Sequence, residues 1–293
     1  MSRVDGVGLT FADWLEHAAT ALTALALTDP ALQDVKLEAR RILADVLQYN
    51  PTQLVLRHND PLSADEYRLL QDALARRLTG EPLAYITGRW WFWDLELAVA
   101  PCTLIPRPDT ELLVEQAFEL DLPTQANVLD LGTGTGAIAL ALAKHRPNWQ
   151  VVAVDREPAA VALAQRNQQS LAIPNCQVLH SDWFSALSNR QFDLILSNPP
   201  YIDSADPHLV QGDVRFEPAS ALVAAEQGLA DLAIICQHAG KFLRPNGWLW
   251  LEHGYQQAEA VQHLLAAAGF EQIRSRQDYG AQWRISGGCW PKN

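Results

Sequence analysis

Seven short strand candidates alternate with amphipathic segments between residues 127 and 289, and this alternation restricts the possible fold more than any other feature. The predicted strands lie at 127–131, 150–155, 177–181, 193–197, 248–252, 271–276 and 284–289. Segments of helical periodicity lie at 136–145, 158–170, 228–242 and 256–268. Because strands that alternate with helices form doubly wound sheets, we expect an α/β, Rossmann-like domain with a seven-stranded, mostly parallel sheet.

A glycine-rich turn follows the first predicted strand and leads into a helix. Glycines at such a turn let the backbone approach a ligand closely. The residues expected to bind a cofactor there are Gly132, Thr133, Gly134, Thr135 and Gly136. The same stretch also fits the dinucleotide pattern G-x-G-x-x-A, so by itself it leaves both NAD and S-adenosylmethionine open. Asp155 ends the next strand, where its carboxylate can bind the two ribose hydroxyls of either cofactor.

Three side chains near the turn favour S-adenosylmethionine over a dinucleotide. Asp130 precedes the glycines, and its carboxylate would repel a pyrophosphate but suit the amino group of a methionine moiety. Asp182 and Trp183 end the third strand, where they can bind the adenine amino group and cover its ring. Taken alone, Asp182 could instead cap a helix. The constellation as a whole predicts S-adenosyl-L-methionine as the cofactor and S-adenosyl-L-homocysteine as its product.

The residues that follow the fourth predicted strand suit chemistry at a planar nitrogen. They are Asn198, Pro199, Pro200 and Tyr201, and we expect all four to bind substrate. The prolines stiffen a turn at the carboxyl end of a strand, where open α/β sheets bind ligands. Asn198 and Pro199 can each accept an N–H through an oxygen, while Tyr201 can stack on the substrate. A substrate nitrogen with a delocalised lone pair is a poor nucleophile and reacts only when it is well oriented. We therefore expect Asn198, Pro199 and Tyr201 to be catalytic.

The chain before the sheet has a different organisation. Residues 1–88 predict a small helical bundle without a catalytic cluster, residues 89–106 a β-hairpin connector, and residues 107–293 the methyltransferase domain. Helix starts in the bundle are predicted at Thr10, at Asp29-Pro30, at Asn50-Pro51 and at the capping-box sequence that begins with Ser63. The bundle is therefore expected to serve recognition or support.

Two features of the connecting region leave alternatives open. The hairpin carries the aromatic run Trp90, Trp91, Phe92 and Trp93, which could pack in the core or could face a partner or the cofactor. Asp109 follows a proline-rich segment and is predicted to cap a helix over residues 110–118.

Charge and cysteine usage restrict the partners. The net charge is −12 and the chain has no basic cluster, which argues against direct binding to nucleic acid phosphates. The four cysteines have neither CxxC nor metal-ligand spacing, and no metal is expected. No signal pattern and no apolar run of about 18 residues is present, so we expect a cytoplasmic protein without a membrane association. We also expect a monomer.

Several further segments resemble one family over nearly the whole chain. They are Leu-Ile-Pro-Arg-Pro-Asp-Thr-Glu at 104–111, the turn at 130–137, Ser-Asp-Trp at 181–183, Ser-Asn-Pro-Pro-Tyr at 197–201, Gly-Asp-Val-Arg-Phe-Glu-Pro at 212–218 and Leu-Glu-His-Gly at 251–254. Together with the helical N-terminus they make the sequence similar to the PrmC/HemK family, the peptide chain release factor N5-glutamine methyltransferases.

The resemblance implies an activity and a partner. The expected reaction is methylation of the side-chain amide of the glutamine in the Gly-Gly-Gln motif of class-1 release factors. Carried over by position, cofactor contacts fall on 132–136, Asp155, Trp183 and Asn198, and substrate contacts on 198–201. The N-terminal bundle is expected to help grip the release factor. The chain departs from the family pattern at Ala281-Gln282-Trp283, which leaves the role of the final hairpin open.

Two other functions compete with this hypothesis. A DNA or RNA amino-group methyltransferase can use the same Asn-Pro-Pro-Tyr motif on a flipped base, although it would be expected to carry a basic target-reading region. A non-catalytic binding protein built on this fold is the other alternative. It is disfavoured while both the glycine turn and the Asn-Pro-Pro-Tyr motif are intact.

Overall fold

A computed structural model describes residues 8–27 and 32–292 of the chain. The chain divides into two compact units. The first contains Met1–Gly88 and Pro207–Phe216, and the second contains Arg89–Asp206 and Glu217–Asn293. The segment Pro207–Phe216 thus belongs to the helical unit, although it follows the Asn-Pro-Pro-Tyr motif closely in the chain. The division into functional domains at residues 88 and 106 stays a prediction.

The first unit is built from short amphipathic helices. Their bounds are α1 Phe11–Ala26, α2 Val35–Leu47, α3 Pro51–Leu56, α4 Ala64–Leu78 and α5 Leu83–Thr87. Helices α1, α3 and α4 begin after Thr10, Asn50 and Ser63, as predicted, and each start has a capping box, which the sequence predicted only at Ser63. The predicted start at Asp29-Pro30 lies outside the described residues, and Asp34 caps α2 through the backbone N–H groups of Lys36 and Leu37.

A buried charge pair connects the helices of the first unit to its later segment. Nε of Arg77 lies 2.7 Å from Oε1 of Glu38, and both side chains are nearly buried. Nη1 of Arg77 also lies 3.7 Å from Oδ1 of Asp213, in the 3₁₀ turn Gly212–Phe216. Nη2 of Arg215 donates to the carbonyl oxygen of Thr79 at 3.2 Å. These contacts explain why Pro207–Phe216 packs with the helices rather than with the sheet.

The second unit begins with the predicted hairpin. Strands β1 (Arg89–Phe92) and β2 (Leu95–Ala98) pair antiparallel. Phe92 is buried in a core cluster of this unit, whereas Trp91 is 64% exposed. The aromatic run is therefore divided between core packing and the surface.

A seven-stranded sheet forms the centre of the second unit and confirms the predicted fold class. Its strands are β3 Asn127–Leu131, β4 Gln150–Asp155, β5 Cys176–His180, β6 Phe192–Ser197, β7 Leu243–Glu252, β8 Glu271–Gln277 and β9 Trp283–Cys289. They lie in the order β5-β4-β3-β6-β7-β9-β8, with β9 antiparallel to both neighbours and the others parallel. The parallel strands bring their carboxyl ends to one edge, where such sheets bind ligands.

The helices of the second unit cover both faces of this sheet. They are α6 Glu111–Glu119, α7 Ala137–His145, α8 Pro158–Ser170, α9 Ala219–Leu222, α10 Ala225–Gly228, α11 Ala230–Ala239 and α12 Ala258–Ala267. One buried cluster includes Leu140, Val151 and Leu194, and a second includes Leu131, Ile195 and Leu251. Alternate residues of β6 thus enter different clusters, as expected for a strand covered on both faces.

The prediction that Asp109 caps the next helix is wrong. Asp109 lies inside the 3₁₀ turn Pro108–Thr110, and α6 begins only at Glu111. Thr110 is the residue before α6, and its side chain makes no capping hydrogen bond. The Asp109 carboxylate is instead 3.5 Å from Nε of Arg284 on β9, so a distant ion pair replaces the local cap.

Within residues 8–27 and 32–292, no helix combines the length and the apolar character that a membrane span requires.

Candidate active site

A cleft opens at the carboxyl edge of the sheet, among the ends of β3, β4, β5 and β6. It encloses about 890 Å³ including its open mouth, which is within the size range of cofactor sites. The lining residues include four of the five predicted in the glycine turn, all but Gly136, together with Asp155, Trp183, Asn198 and Pro200. The structure therefore brings together the side chains that the sequence predicted for a cofactor, although they come from four different strand ends.

The glycine turn forms one wall of the cleft. Gly132, Gly134 and Gly136 all have positive φ, at 69°, 57° and 86°, a region that a side chain would oppose. A Cβ atom at Gly136 would lie 3.0 Å from Cδ1 of Leu140, in the first turn of α7. The turn thus depends on glycine both for its conformation and for its close packing.

Asp155 connects the turn to the next strand. Its Oδ2 accepts from the backbone N–H of Gly134 and its Oδ1 accepts from that of Glu157, both at 2.9 Å. Burial raises the pKa of this carboxyl, and the two N–H donors oppose that rise. The side chain is almost buried but still lines the cleft, so a carboxylate is held rigidly at its wall.

Asp130 does not have the position that the sequence suggested. Its carboxyl is fully buried and does not line the cleft, so it is not placed to meet a methionine amino group. Its Oδ2 accepts from Oγ1 of Thr133 at 2.6 Å, and burial raises its pKa to about 7. Because side chains alternate along β3, Asp130 supports the turn from beneath.

Trp183 lines the cleft beside the turn. It has a positive φ of 44°, which is uncommon for a bulky residue. A Cβ atom at Gly132 would lie 3.6 Å from Cζ3 of the Trp183 ring, so the absence of a side chain there leaves the ring against bare backbone. Asp182 also lines the cleft, and the residues after it form a turn rather than a helix, which removes the helix-cap alternative.

The Asn198 carboxamide lies at the cleft with a fixed orientation. Its Nδ2 donates to Oγ1 of Thr110 at 3.0 Å, which leaves the side-chain oxygen free of that contact. Ser197, just before it, donates through Oγ to the carbonyl oxygen of Leu131 at 2.7 Å and connects β6 to β3. Asn198 and Pro200 line the cleft, whereas Pro199 and Tyr201 do not.

The Tyr201 side chain has a partner away from the cleft. Its hydroxyl donates to Oε1 of Glu252 at 3.1 Å, and its ring packs on the core cluster beneath the sheet edge. Burial raises the pKa of this phenol well above its usual range. Stacking of Tyr201 on a substrate stays a prediction.

Several groups that support the site were not predicted from the sequence. Thr110, Glu252 and Arg284 surround the Asn198 and Tyr201 side chains, and Glu217 accepts from both the Arg107 guanidinium at 2.7 Å and the backbone N–H of Ile105 at 3.1 Å. The sequence did carry a signal for most of them, because all of these supporting residues except Arg284 lie in segments that showed the family resemblance. The sequence did not indicate which of those segments meet.

Among these supporting groups, Glu252 is a fully buried carboxyl with a raised pKa. Its pKa is raised to about 7, chiefly by burial and also by the negative charge of Asp109. The neighbouring hydroxyls of Thr110 and Tyr201 and the positive charge of Arg284 oppose the rise. Ionisation of this carboxyl near neutral pH therefore destabilises the folded protein.

We expect Glu252→Gln to stabilise the fold at pH 8 but not at pH 5. The carboxyl of Glu252 has a folded pKa above its unfolded value of 4.5, so the folded state binds its proton more tightly. Its favourable contribution is present at low pH and is lost as pH rises toward 7, by up to about 3 kcal/mol. Urea unfolding at both pH values measures this. Equal gains at pH 5 and pH 8 would show that ionisation of the buried carboxyl is not the cause.

The seven-stranded sheet and the glycine-lined cleft at its carboxyl edge give the chain the architecture of a class I methyltransferase. Residues 108–224 match the model of the methyltransferase small domain, and residues 13–88 match that of the PrmC N-terminal domain. A methyltransferase structure from Pyrococcus furiosus shares the fold, with a TM-score of 0.53, 18% identity, and coverage of 76% of this chain and 100% of that one.

Curated relatives give the family. The release factor glutamine methyltransferase of Salmonella typhimurium is 50% identical over 280 residues, covering 96% of this chain and 99% of the relative. The Escherichia coli K12 protein of the same name is 48% identical and covers 95% and 98%. That of Pseudomonas aeruginosa is 58% identical and covers 75% and 79%. The chain belongs to the release factor glutamine methyltransferase family, which confirms the resemblance found in the sequence.

Proposed function

We propose that this chain transfers the methyl group of S-adenosyl-L-methionine to the side-chain amide nitrogen (N5) of the glutamine in the Gly-Gly-Gln motif of class-1 release factors. The observation that carries the proposal is the Asn198 carboxamide, held at the cleft by Thr110 with its oxygen free. The names of relatives that match almost the full chain support this acceptor.

The cleft residues fit the cofactor. The backbone from Gly132 to Thr135 would border the methionine moiety, the Asp155 carboxylate would bind the ribose hydroxyls, and Trp183 would cover the adenine. When bound, S-adenosylmethionine supplies an activated methyl group on its sulfonium. Asn198 lies where the substrate amide and that methyl group would meet, since it lines the same cleft.

The protein's task in this reaction is orientation. An amide nitrogen is a poor nucleophile because its lone pair is delocalised. Asn198, through its side-chain oxygen, and Pro199, through its carbonyl oxygen, would each accept one N–H of the substrate amide and direct the nitrogen at the methyl carbon. Proximity and orientation of this kind can supply several kcal/mol of the barrier. On accepting the methyl group, the substrate nitrogen would lose one proton to solvent, and the two oxygens would stabilise the positive charge that develops on it.

The helical unit is proposed to bind the release factor. Val55 and Leu56 at the end of α3 are both 76% exposed, an apolar surface of the kind that protein partners cover. The net charge of −12 disfavours a nucleic acid acceptor. We propose that the chain acts as a monomer and does not contact nucleic acid directly.

A labelling experiment tests this function. The protein is incubated with methyl-labelled S-adenosylmethionine and either a purified class-1 release factor, the same factor with its Gly-Gly-Gln glutamine replaced by alanine, or DNA and RNA. We expect label only in the unsubstituted factor, and peptide mass mapping should place one added methyl group on that glutamine. Label in nucleic acid, or in the alanine-substituted factor, would overturn the proposed acceptor.

A further inference from the structure

The carbonyl oxygen of Tyr201 is held by the side chain of Gln257. Nε2 of Gln257 donates to this oxygen at 3.1 Å and to the carbonyl oxygen of Gln227 at 3.2 Å, while Oε1 accepts from the backbone N–H of Gly254 at 2.8 Å. A carboxamide can satisfy all three groups at once, and the reverse orientation would set its oxygen against two carbonyl oxygens. The Gln257 side chain therefore has a single orientation.

Gly228 packs against the same carbonyl group. A Cβ atom at Gly228 would overlap the carbonyl oxygen of Tyr201 and would lie 2.7 Å from its carbonyl carbon. This glycine ends a left-handed turn, in which Glu226, Gln227 and Gly228 have φ of 56°, 57° and 83°. Such backbone is uncommon for residues with a side chain and persists only where the surrounding structure holds it. The hydrogen bond from Gln257 to the carbonyl oxygen of Gln227 is one contact that does so.

Both contacts act on a stiff segment of the chain. Two successive prolines, Pro199 and Pro200, each fix φ, so the segment has little freedom between its ends. At its start, the Ser197 hydroxyl bonds β6 to β3. At its end, the carbonyl group of Tyr201 is held by a hydrogen bond and by close packing. A shift of the Tyr201 carbonyl would therefore be passed along the prolines to the Pro199 carbonyl oxygen and to Asn198.

We propose that Gln257 and Gly228 are positioning residues for methyl transfer, which hold the Tyr201 carbonyl so that the Asn-Pro-Pro-Tyr motif presents its acceptor oxygens in one place. The inference rests on the proposed function, because this motif is the one that would orient the substrate amide. Neither residue lines the cleft, so both would act through the motif. The inference also gives a role to the segment 251–254, since the Gly254 N–H fixes the acceptor end of Gln257.

The first test replaces Gln257 by glutamate and by methionine, which are both similar to it in length. In Gln257→Glu at pH 8 the carboxylate can still accept from the Gly254 N–H, but it has no donor for the Tyr201 carbonyl oxygen and repels it. When protonated, the carboxyl group can donate again. The side chain introduced in Gln257→Met has no donor at any pH.

We expect the single-turnover rate with saturating release factor to be about tenfold below wild type in Gln257→Glu at pH 8. The ratio of the wild-type rate to the variant rate should fall toward one at pH 5.5, because the neighbouring carbonyl oxygens favour the protonated carboxyl. In Gln257→Met this ratio should not change with pH. The Kd for S-adenosylhomocysteine and the KM for release factor should stay within about twofold of wild type in both variants. Gln256→Glu, at the exposed neighbouring position, is the matched control and should retain the wild-type rate.

The second test compares Gly228→Ala with Gly269→Ala. Both glycines have positive φ, at 83° and 92°, so alanine strains the backbone in either variant. At Gly269, however, the atom nearest to an added Cβ is Cζ3 of Trp290 at 3.8 Å, which is an ordinary contact. We expect Gly228→Ala to lower the single-turnover rate about tenfold or more, because the Tyr201 carbonyl must move. Gly269→Ala should retain the wild-type rate, although its free energy of unfolding also falls.

Three results would contradict the inference. They are a wild-type rate in Gln257→Glu at pH 8, a rate ratio for that variant that does not change with pH, or an equal loss of rate in the two alanine variants. A failure of the proposed function has a different signature, because the wild-type protein itself would then leave the release factor unlabelled. If Gly228→Ala did not fold, the comparison of the two Gln257 variants would still decide the matter.

Discussion

Asn198→Ala is expected to reduce the rate of methyl transfer by about 10²- to 10³-fold, the usual loss when a group that stabilises transition-state charge is removed. Alanine removes the oxygen that would accept the substrate N–H, and it frees Thr110 from its present donor. Single-turnover assays with labelled cofactor and saturating release factor measure the effect. Since β6 and its bond from Ser197 to Leu131 are unaffected, the fold should persist.

The control for this variant is Asn148→Ala, in an exposed loop before β4 at the opposite edge of the sheet. It should retain the wild-type rate. Cofactor affinity, measured by calorimetry, should change far less than turnover in Asn198→Ala. Near-normal turnover would show that another group orients the acceptor and would remove the basis of the proposed mechanism.

Asp155→Ala is expected to weaken cofactor binding about 100-fold, which corresponds to about 3 kcal/mol for hydrogen bonds made to a charged group. The carboxylate is already held by the backbone N–H groups of Gly134 and Glu157, so little ordering is needed when a ribose binds. Its loss also leaves the Gly134 N–H without its acceptor at the cleft wall. Calorimetric titration with S-adenosylhomocysteine measures the change.

Asp121→Ala is the matched control for this second variant, because Asp121 is exposed in the loop that precedes β3. Turnover of Asp155→Ala at saturating cofactor should recover much of the wild-type rate, because ribose contacts act in the ground state as well as in the transition state. An unchanged affinity would mean that the ribose does not lie against Asp155.

The parts of the protein that were predictable are those whose signals are local. Helix starts after Thr10, Asn50 and Ser63 need only four consecutive residues, and the glycine turn and Asn-Pro-Pro-Tyr motif are equally short. Element boundaries were less predictable where a local signal competes with a tertiary contact. At Asp109 a good capping residue follows a proline, and the tertiary pairing with Arg284 outweighs the local cap.

The sequence by itself determined the class of fold, the cofactor turn and the motif at the end of β6, because strand–helix alternation and backbone restrictions of glycine and proline are properties of neighbouring residues. Only the tertiary structure decided what surrounds them. It buried Asp130 beneath the turn, placed Thr110 beside Asn198 across 88 positions, and set Tyr201 against Glu252 across 51. Such contacts depend on which strand ends become neighbours in the sheet, and no local pattern of residues carries that information.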